Sequence, residues 1–123
     1  MAYVTSEKSN VDQLIGGIAV AALTKNITLK GLSAEKALKR GAVLAVSEGK
    51  YQIVDAASAT PALKVANAVL AEDVVVGTGD VVATVYIRGI FNAEEMSVGA
   101  ESDSVQAHEE ELRAVGIYLT HLQ

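Results

Sequence analysis

The stretch Val81-Val-Ala-Thr-Val-Tyr-Ile-Arg-Gly-Ile-Phe91 decides the fold. Its odd positions, Val81, Ala83, Val85, Ile87, Gly89 and Phe91, are apolar or glycine, and its even positions include Thr84, Tyr86 and Arg88. A period of two predicts a strand with one buried face. A glycine inside such a run marks a bulge or a close approach of another group, so Gly89 is expected to be one of these.

Working upstream, Gly77-Thr-Gly-Asp80 reads as a turn and Val74–Val76 as a short apolar run. Leu63–Leu70 is expected to form another strand, interrupted by Asn67, and Asp55–Pro61 a surface loop. Ala42–Val46 and Tyr51–Val54 flank Ser47-Glu-Gly-Lys50, the pattern of a hairpin. Ile27–Leu29 reads as a short strand before a turn at Gly31, and Ser33 as the cap of one helical turn running through Lys39 and ended by Gly41. The apolar run Leu14–Leu23 is either a buried strand or a short helix, and periodicity does not choose between them. Ala-Val-Leu-Ala occurs at 42–45 and 68–71, but the flanking residues differ, as expected of coincidence in a chain rich in Ala and Val.

Downstream, Asp103 or Ser104 can cap a helix, and Gln106 stands at capping-box spacing from Asp103. Val105, His108, Leu112 and Val115 fall on one helical face, Glu109 and Arg113 form an i,i+4 pair, and Gly116 suits the position past the helix end. Ile117–Leu119 resumes as a strand. The expected fold is therefore mainly β with short helices (α+β). It comprises one domain over residues 14–123, preceded by a polar, flexible N-terminal arm at 1–13 with no core-forming cluster.

Composition narrows the function. A chain of 123 residues is one domain. At 12.8 kDa its folded surface should be roughly 6,300 Å² against about 18,600 Å² unfolded, enough burial for a core without covalent staples. Cysteine is absent, which removes disulfides and thiolate metal sites. The net charge is −5, and the ten basic residues are scattered apart from Lys36, Lys39 and Arg40, so no nucleic-acid partner is expected. The run Leu14–Leu23 is half the length of a membrane span and holds Gly16-Gly17. The residues before it carry Glu7 and Asp12 with only Lys8, the wrong charge for a secretion signal. A protein that is neither membrane-bound nor secreted is expected. Hydrophobic residues make up 50% of the chain, mostly Ala and Val, and mean hydropathy is +0.30. That excess suits a subunit interface, for which a standard patch takes about 800 Å² per partner.

No motif supports catalysis, a cofactor or a metal. His108 begins His-Glu-Glu-Glu-Leu, but a zinc helix needs a second histidine where Leu112 stands. His108 reads instead as a packed helix residue, and His121 as a solvated one. Gly77-Thr-Gly79 is followed by a strand rather than by the helix N-terminus that a phosphate loop requires. Glu72-Asp73, Glu94-Glu95 and Glu109–Glu111 are adjacent carboxylates that point apart and are expected on solvated surface.

Three features taken in order resemble a known family. Lys39-Arg-Gly-Ala-Val-Leu-Ala45 introduces a strand and the 47–50 hairpin. Tyr86-Ile-Arg-Gly-Ile-Phe-Asn92 follows a Val-rich segment, and a helix leads to Gly116-Ile-Tyr118. Over residues 27–119 this is similar to the head decoration proteins of lambda-like tailed bacteriophages. The resemblance implies a small β-clip-like domain that forms homotrimers at threefold and quasi-threefold sites on the outer surface of the expanded capsid. There it would be a virion structural protein partnered with the major capsid protein and assembled in the host cytoplasm. It implies that the shell is stabilised against DNA pressure and that the N-terminal arm binds capsid, with Tyr3, Val4, Thr5, Val11 and Leu14 as candidate contacts. Two other readings stay open: a tail or head-completion component, and a small-ligand-binding β-clip domain with Tyr86, Arg88 and His108 around its pocket.

Overall fold

The computed structural model describes residues 15–17, 22–56, 58–99 and 103–120. Among them the strands in chain order are β1 (Ile15–Gly17), β2 (Leu23–Leu29), β3 (Lys36–Leu38), β4 (Val43–Ser47), β5 (Lys50–Ile53), β6 (Ala68–Leu70), β7 (Val74–Val76), β8 (Val81–Asn92) and β9 (Ile117–Thr120). Among the same residues one short helix, α1 (Glu109–Ala114), and 3-10 turns at Pro61–Lys64, Ala93–Glu95 and Gln106–His108 complete a mostly β domain.

The long strand β8 organises everything else. Its first half pairs antiparallel with β2 on one side, from Thr24↔Tyr86 to Leu29↔Val81, and with β6 on the other, through Val69↔Tyr86 and Leu70↔Val85. From β2 the ladder passes to β5 in parallel, to β4 and then to β6 antiparallel, and so returns to β8. The result is a closed ring, β8-β2-β5-β4-β6. The second half of β8 leaves this ring and carries β1 antiparallel and β9 parallel as its neighbours. A separate ribbon pairs β3 with β7.

Between the two halves the strand changes phase. One step on β2, from Leu23 to Thr24, spans two on β8, from Arg88 to Tyr86. Ile87 is thus the extra residue of a bulge, and Gly89 follows at φ +145°. The expected buried positions Ala83, Val85, Gly89 and Phe91 are indeed buried, but they serve two cores. Ala83 and Val85 join Ile27, Leu29, Leu38, Leu44, Leu70 and Val76 in one core. Phe91 joins Val43, Val54, Val69, Met96, Leu112 and Ile117 in the other, with Tyr86 against it at a ring separation of 5.0 Å.

Strands β4 and β6 lie between the two cores. Val43, Ala45 and Val69 face the core around Phe91, whereas Leu44, Ala68 and Leu70 face the other. Strands buried on both faces lose the apolar–polar alternation. The two Ala-Val-Leu-Ala segments are partners here, paired through Val43↔Val69 and Leu44↔Ala68.

Several expectations need correction. Residues 33–39 do not make a helical turn: Lys36–Leu38 is β3, with Leu38 buried against β7. A single helical turn carries the whole cost of nucleation, while the ladder to β7 satisfies the same backbone groups. The expected strand at 63–70 is only Ala68–Leu70, because Pro61 starts a 3-10 turn through Lys64. Ile27–Leu29 is the end of a longer strand that begins at Leu23. Within Leu14–Leu23, Ile15–Gly17 is strand, and residues 14 and 18–21 lie outside the described residues, as do the 1–13 segment and His121. At the helix, Ser104 Oγ accepts from the Ala107 amide at 3.2 Å, as a cap should. The Gln106 side chain bonds forward to Glu109 rather than back, so no capping box forms. Arg113 pairs with Glu110 at 3.5 Å instead of Glu109, and Val115, beyond the helix end, is exposed. The hairpin is as expected: Ser47↔Lys50 closes a two-residue loop with Glu48 at φ +53° and Gly49 at φ +82°, the type I′ geometry.

Candidate functional site

The candidate contacts Tyr3, Val4, Thr5, Val11 and Leu14 all lie outside the described residues. What is described is the strand they lead into. β1 pairs with β8 through Ile15↔Phe91 and Gly17↔Ile90, and β9 occupies the other side of the same half of β8. Among the described residues neither β1 nor β9 has a second strand neighbour, so both present open edges. Open edges are templates for strand addition.

Arg40-Gly41 and Tyr86–Asn92, far apart in sequence, meet in the fold. Arg40 Nη2 donates to the Tyr86 hydroxyl at 2.9 Å, with the guanidinium 5.7 Å from the ring centre. The Arg40 amide donates to Asp73 Oδ1 at 2.8 Å. Gly41 adopts φ +102°, and a Cβ there would fall 2.3 Å from the Glu95 carbonyl oxygen. Its amide donates to Leu70 O, and its carbonyl accepts from Ser97 N. Asn92 is buried, and its Oδ1 accepts from the Glu94 amide at 3.1 Å, turning the chain out of β8. These residues therefore form a joint between the two halves of the molecule.

A second joint ties the Gly77–Asp80 turn to the rest. Asp80 Oδ1 accepts from the Gly31 amide at 2.8 Å, and Oδ2 lies 2.6 Å from Lys50 Nζ. The hydrogen bond from Lys50 and then the one from Gly31 hold the Asp80 carboxyl below its usual range.

The three residues proposed around a ligand pocket are not gathered in one. Tyr86 is engaged by Arg40, Arg88 is exposed, and His108 is buried in a polar cluster. A cleft of roughly 70 Å³ among the described residues is lined by Leu29, Leu32, Leu38, Tyr51, Ile53 and Val76 with Lys30, Lys36 and Gln52, and includes none of the three. Among the described residues no helix is long and apolar enough to cross a membrane.

The His108 cluster escaped the sequence reading. His108 is only 4% exposed, and its ring lies between two carboxylates. Nε2 is 2.5 Å from Asp103 Oδ2, and Nδ1 is 2.5 Å from Glu111 Oε1. Glu111 Oε1 also accepts from the Ala66 amide at 2.8 Å. Burial is the largest single influence on the ring and opposes its charge, but the hydrogen bonds to Asp103 and Glu111 outweigh it and raise the pKa above the ordinary 6.5. Glu111 is thus a half-buried acceptor rather than the expected solvated carboxylate. The i,i+3 spacing from His108 was visible in the sequence, whereas the convergence of Asp103 and Ala66 was not.

A search of curated proteins finds no match. The family model of the bacteriophage lambda head decoration protein D, by contrast, matches residues 3–117, all but the first two and last six residues of the chain. The family is a structural one, whose members are placed on the phage capsid. On that match the chain belongs to the family of the bacteriophage lambda head decoration protein D.

Proposed function

We propose that this head decoration protein binds the outer surface of the expanded head as a homotrimer at threefold and quasi-threefold sites and braces neighbouring major capsid protein subunits against internal DNA pressure. The family match over residues 3–117 is the observation that carries this reading. Residues 1–13 act as the capsid-binding arm, with Tyr3, Val4, Thr5, Val11 and Leu14 as contacts, and residues 14–123 as the body. The physical basis is β-augmentation: a segment without its own core gains structure by pairing with an exposed strand edge. Ordering it costs about 1–2 kcal/mol per residue. Three arms on one trimer offset that cost through effective concentration.

Deleting residues 2–13 tests the reading. The truncated protein should fold, with the circular dichroism and unfolding midpoint of the full chain, yet fail to sediment with expanded empty heads. The full chain should have the mass of a trimer on the head and raise the heat resistance of the shell. Saturation of heads by the truncated protein at full affinity would remove the arm from the proposal. A ring or tube in electron micrographs, in place of discrete threefold densities, would remove the trimer.

A further inference from the structure

We propose that Asp103, His108 and Glu111 form a proton-operated latch, in which the doubly protonated imidazole clamps α1 and the chain before it onto the core around Phe91. The argument starts from the ring. Both nitrogens face carboxylate oxygens at 2.5 Å. Only the imidazolium has an N–H on each nitrogen, whereas the neutral ring has one N–H and one lone pair. After loss of a proton, one carboxylate therefore faces a lone pair, in a site where the imidazole and the Asp103 carboxylate are each about 95% buried. An unpaired polar group is costly in such surroundings.

The groups facing the ring come from separate pieces of chain. Asp103 precedes the 3-10 turn, with its other oxygen on the Ser104 amide. Glu111 lies on α1, and through it the Ala66 amide contributes from the segment ahead of β6. Among the described residues the ion pairs of Asp103 and Glu111 are both with His108, while Glu109 turns to Gln106 and Glu110 to Arg113. The protonated cluster thus carries one net negative charge and the deprotonated one two. Ala66 and Leu112 belong to the core that the latch closes, and β9, entered through Gly116, pairs with β8 on the side opposite β1. Release of α1 would loosen the strand layer from which the N-terminal segment departs. None of this depends on capsid binding, so the latch and the proposed function can fail separately.

The sign follows from linkage. A folded-state pKa above 6.5 gives stabilisation that is complete below that pH and is lost as pH rises through the folded value. Imidazole ¹⁵N shifts of the full chain from pH 5 to 9, with His121→Gln to assign the two histidines, should show His108 doubly protonated past pH 6.5. Amide exchange at Ala66 and Leu112, corrected for intrinsic base catalysis, should lose protection by up to about tenfold per pH unit across the titration. In Glu111→Gln the His108 titration should move to lower pH, and in His108→Gln the protection should not vary with pH. A ring already neutral at pH 6, protection flat across the titration, or an unmoved titration in Glu111→Gln would each overturn the latch.

Discussion

The two cores that share β4 and β6 are closed in different ways. The buried side chains of the core inside the strand ring are all aliphatic, with Leu29, Leu44, Leu70 and Val85 fully enclosed, the β3–β7 ribbon supplying Leu38 and Val76, and Tyr51 packed at the edge. The core around Phe91 is covered by a 3-10 turn, a two-turn helix and loops, and it borrows polar fastenings: Asn92, the His108 cluster and the Arg40–Tyr86 contact. A closed ring satisfies its backbone through neighbouring strands and needs only apolar filling. A lid of short elements leaves amides and carbonyls at its ends, which side chains must satisfy. Polar fastenings thus reach into the cover of the Phe91 core, whereas those of the ring, such as Asp80 with Gly31 and Lys50, stay on its exposed rim.

Truncating a central residue on each side breaks this comparison most severely. Phe91 is fully buried and packs on Tyr86, so Phe91→Ala should cost about 3–5 kcal/mol in urea unfolding. Leu44→Ala opens the ring core and should cost about 2–5 kcal/mol. Both variants should keep a single transition, since β4 and β6 belong to both cores. A separate early transition in Phe91→Ala alone would show that the lidded core unfolds independently.

The same division decides what could be read from sequence. The hairpin was legible because its turn residues and flanking strands are local, and β8 because a half-buried strand alternates. β4 and β6 do not alternate, being buried on both faces, so the pairing of the two Ala-Val-Leu-Ala segments stayed hidden. β3 was misread because its partner, β7, lies far along the chain, and Ser33 supplied a local helical signal. The bulge at Ile87 depends on the register with β2, which no single strand reveals. At the His108 cluster the residue types were visible, but their convergence depends on where α1 lands on the segment near Ala66.

A smaller effect sharpens the boundary between the cores. Gly41 sits at φ +102°, where an L side chain is strained, and a new Cβ would meet the Glu95 carbonyl oxygen at 2.3 Å. Backbone, unlike a side-chain tip, cannot swing aside cheaply. Gly41→Ala should cost about 2 kcal/mol, combining the φ penalty with a shift of residues 95–97. Thermal denaturation reads the loss. Amide exchange at Val43, whose N–H is bonded to Ser97 O at 2.8 Å, should accelerate before that at Leu29. An unchanged midpoint would mean that the joint yields freely and the two cores are less tightly coupled than their shared strands imply.

The smallest effect has the opposite sign and lies outside both cores. Glu48 is the described non-glycine residue with positive φ, at +53°, in the first position of the type I′ hairpin between β4 and β5. That position favours asparagine, which visits the left-handed region more readily than glutamate does. Its side chain is exposed, so nothing packed is lost on substitution. Glu48→Asn should therefore stabilise the protein by about 0.5 kcal/mol and raise the thermal midpoint by a few degrees. Because the hairpin feeds β4, the gain should protect amides of both cores equally. A gain confined to the ring core, which β5 also flanks through Tyr51 and Ile53, would show instead that the Phe91 core closes after the hairpin and draws no stability from it.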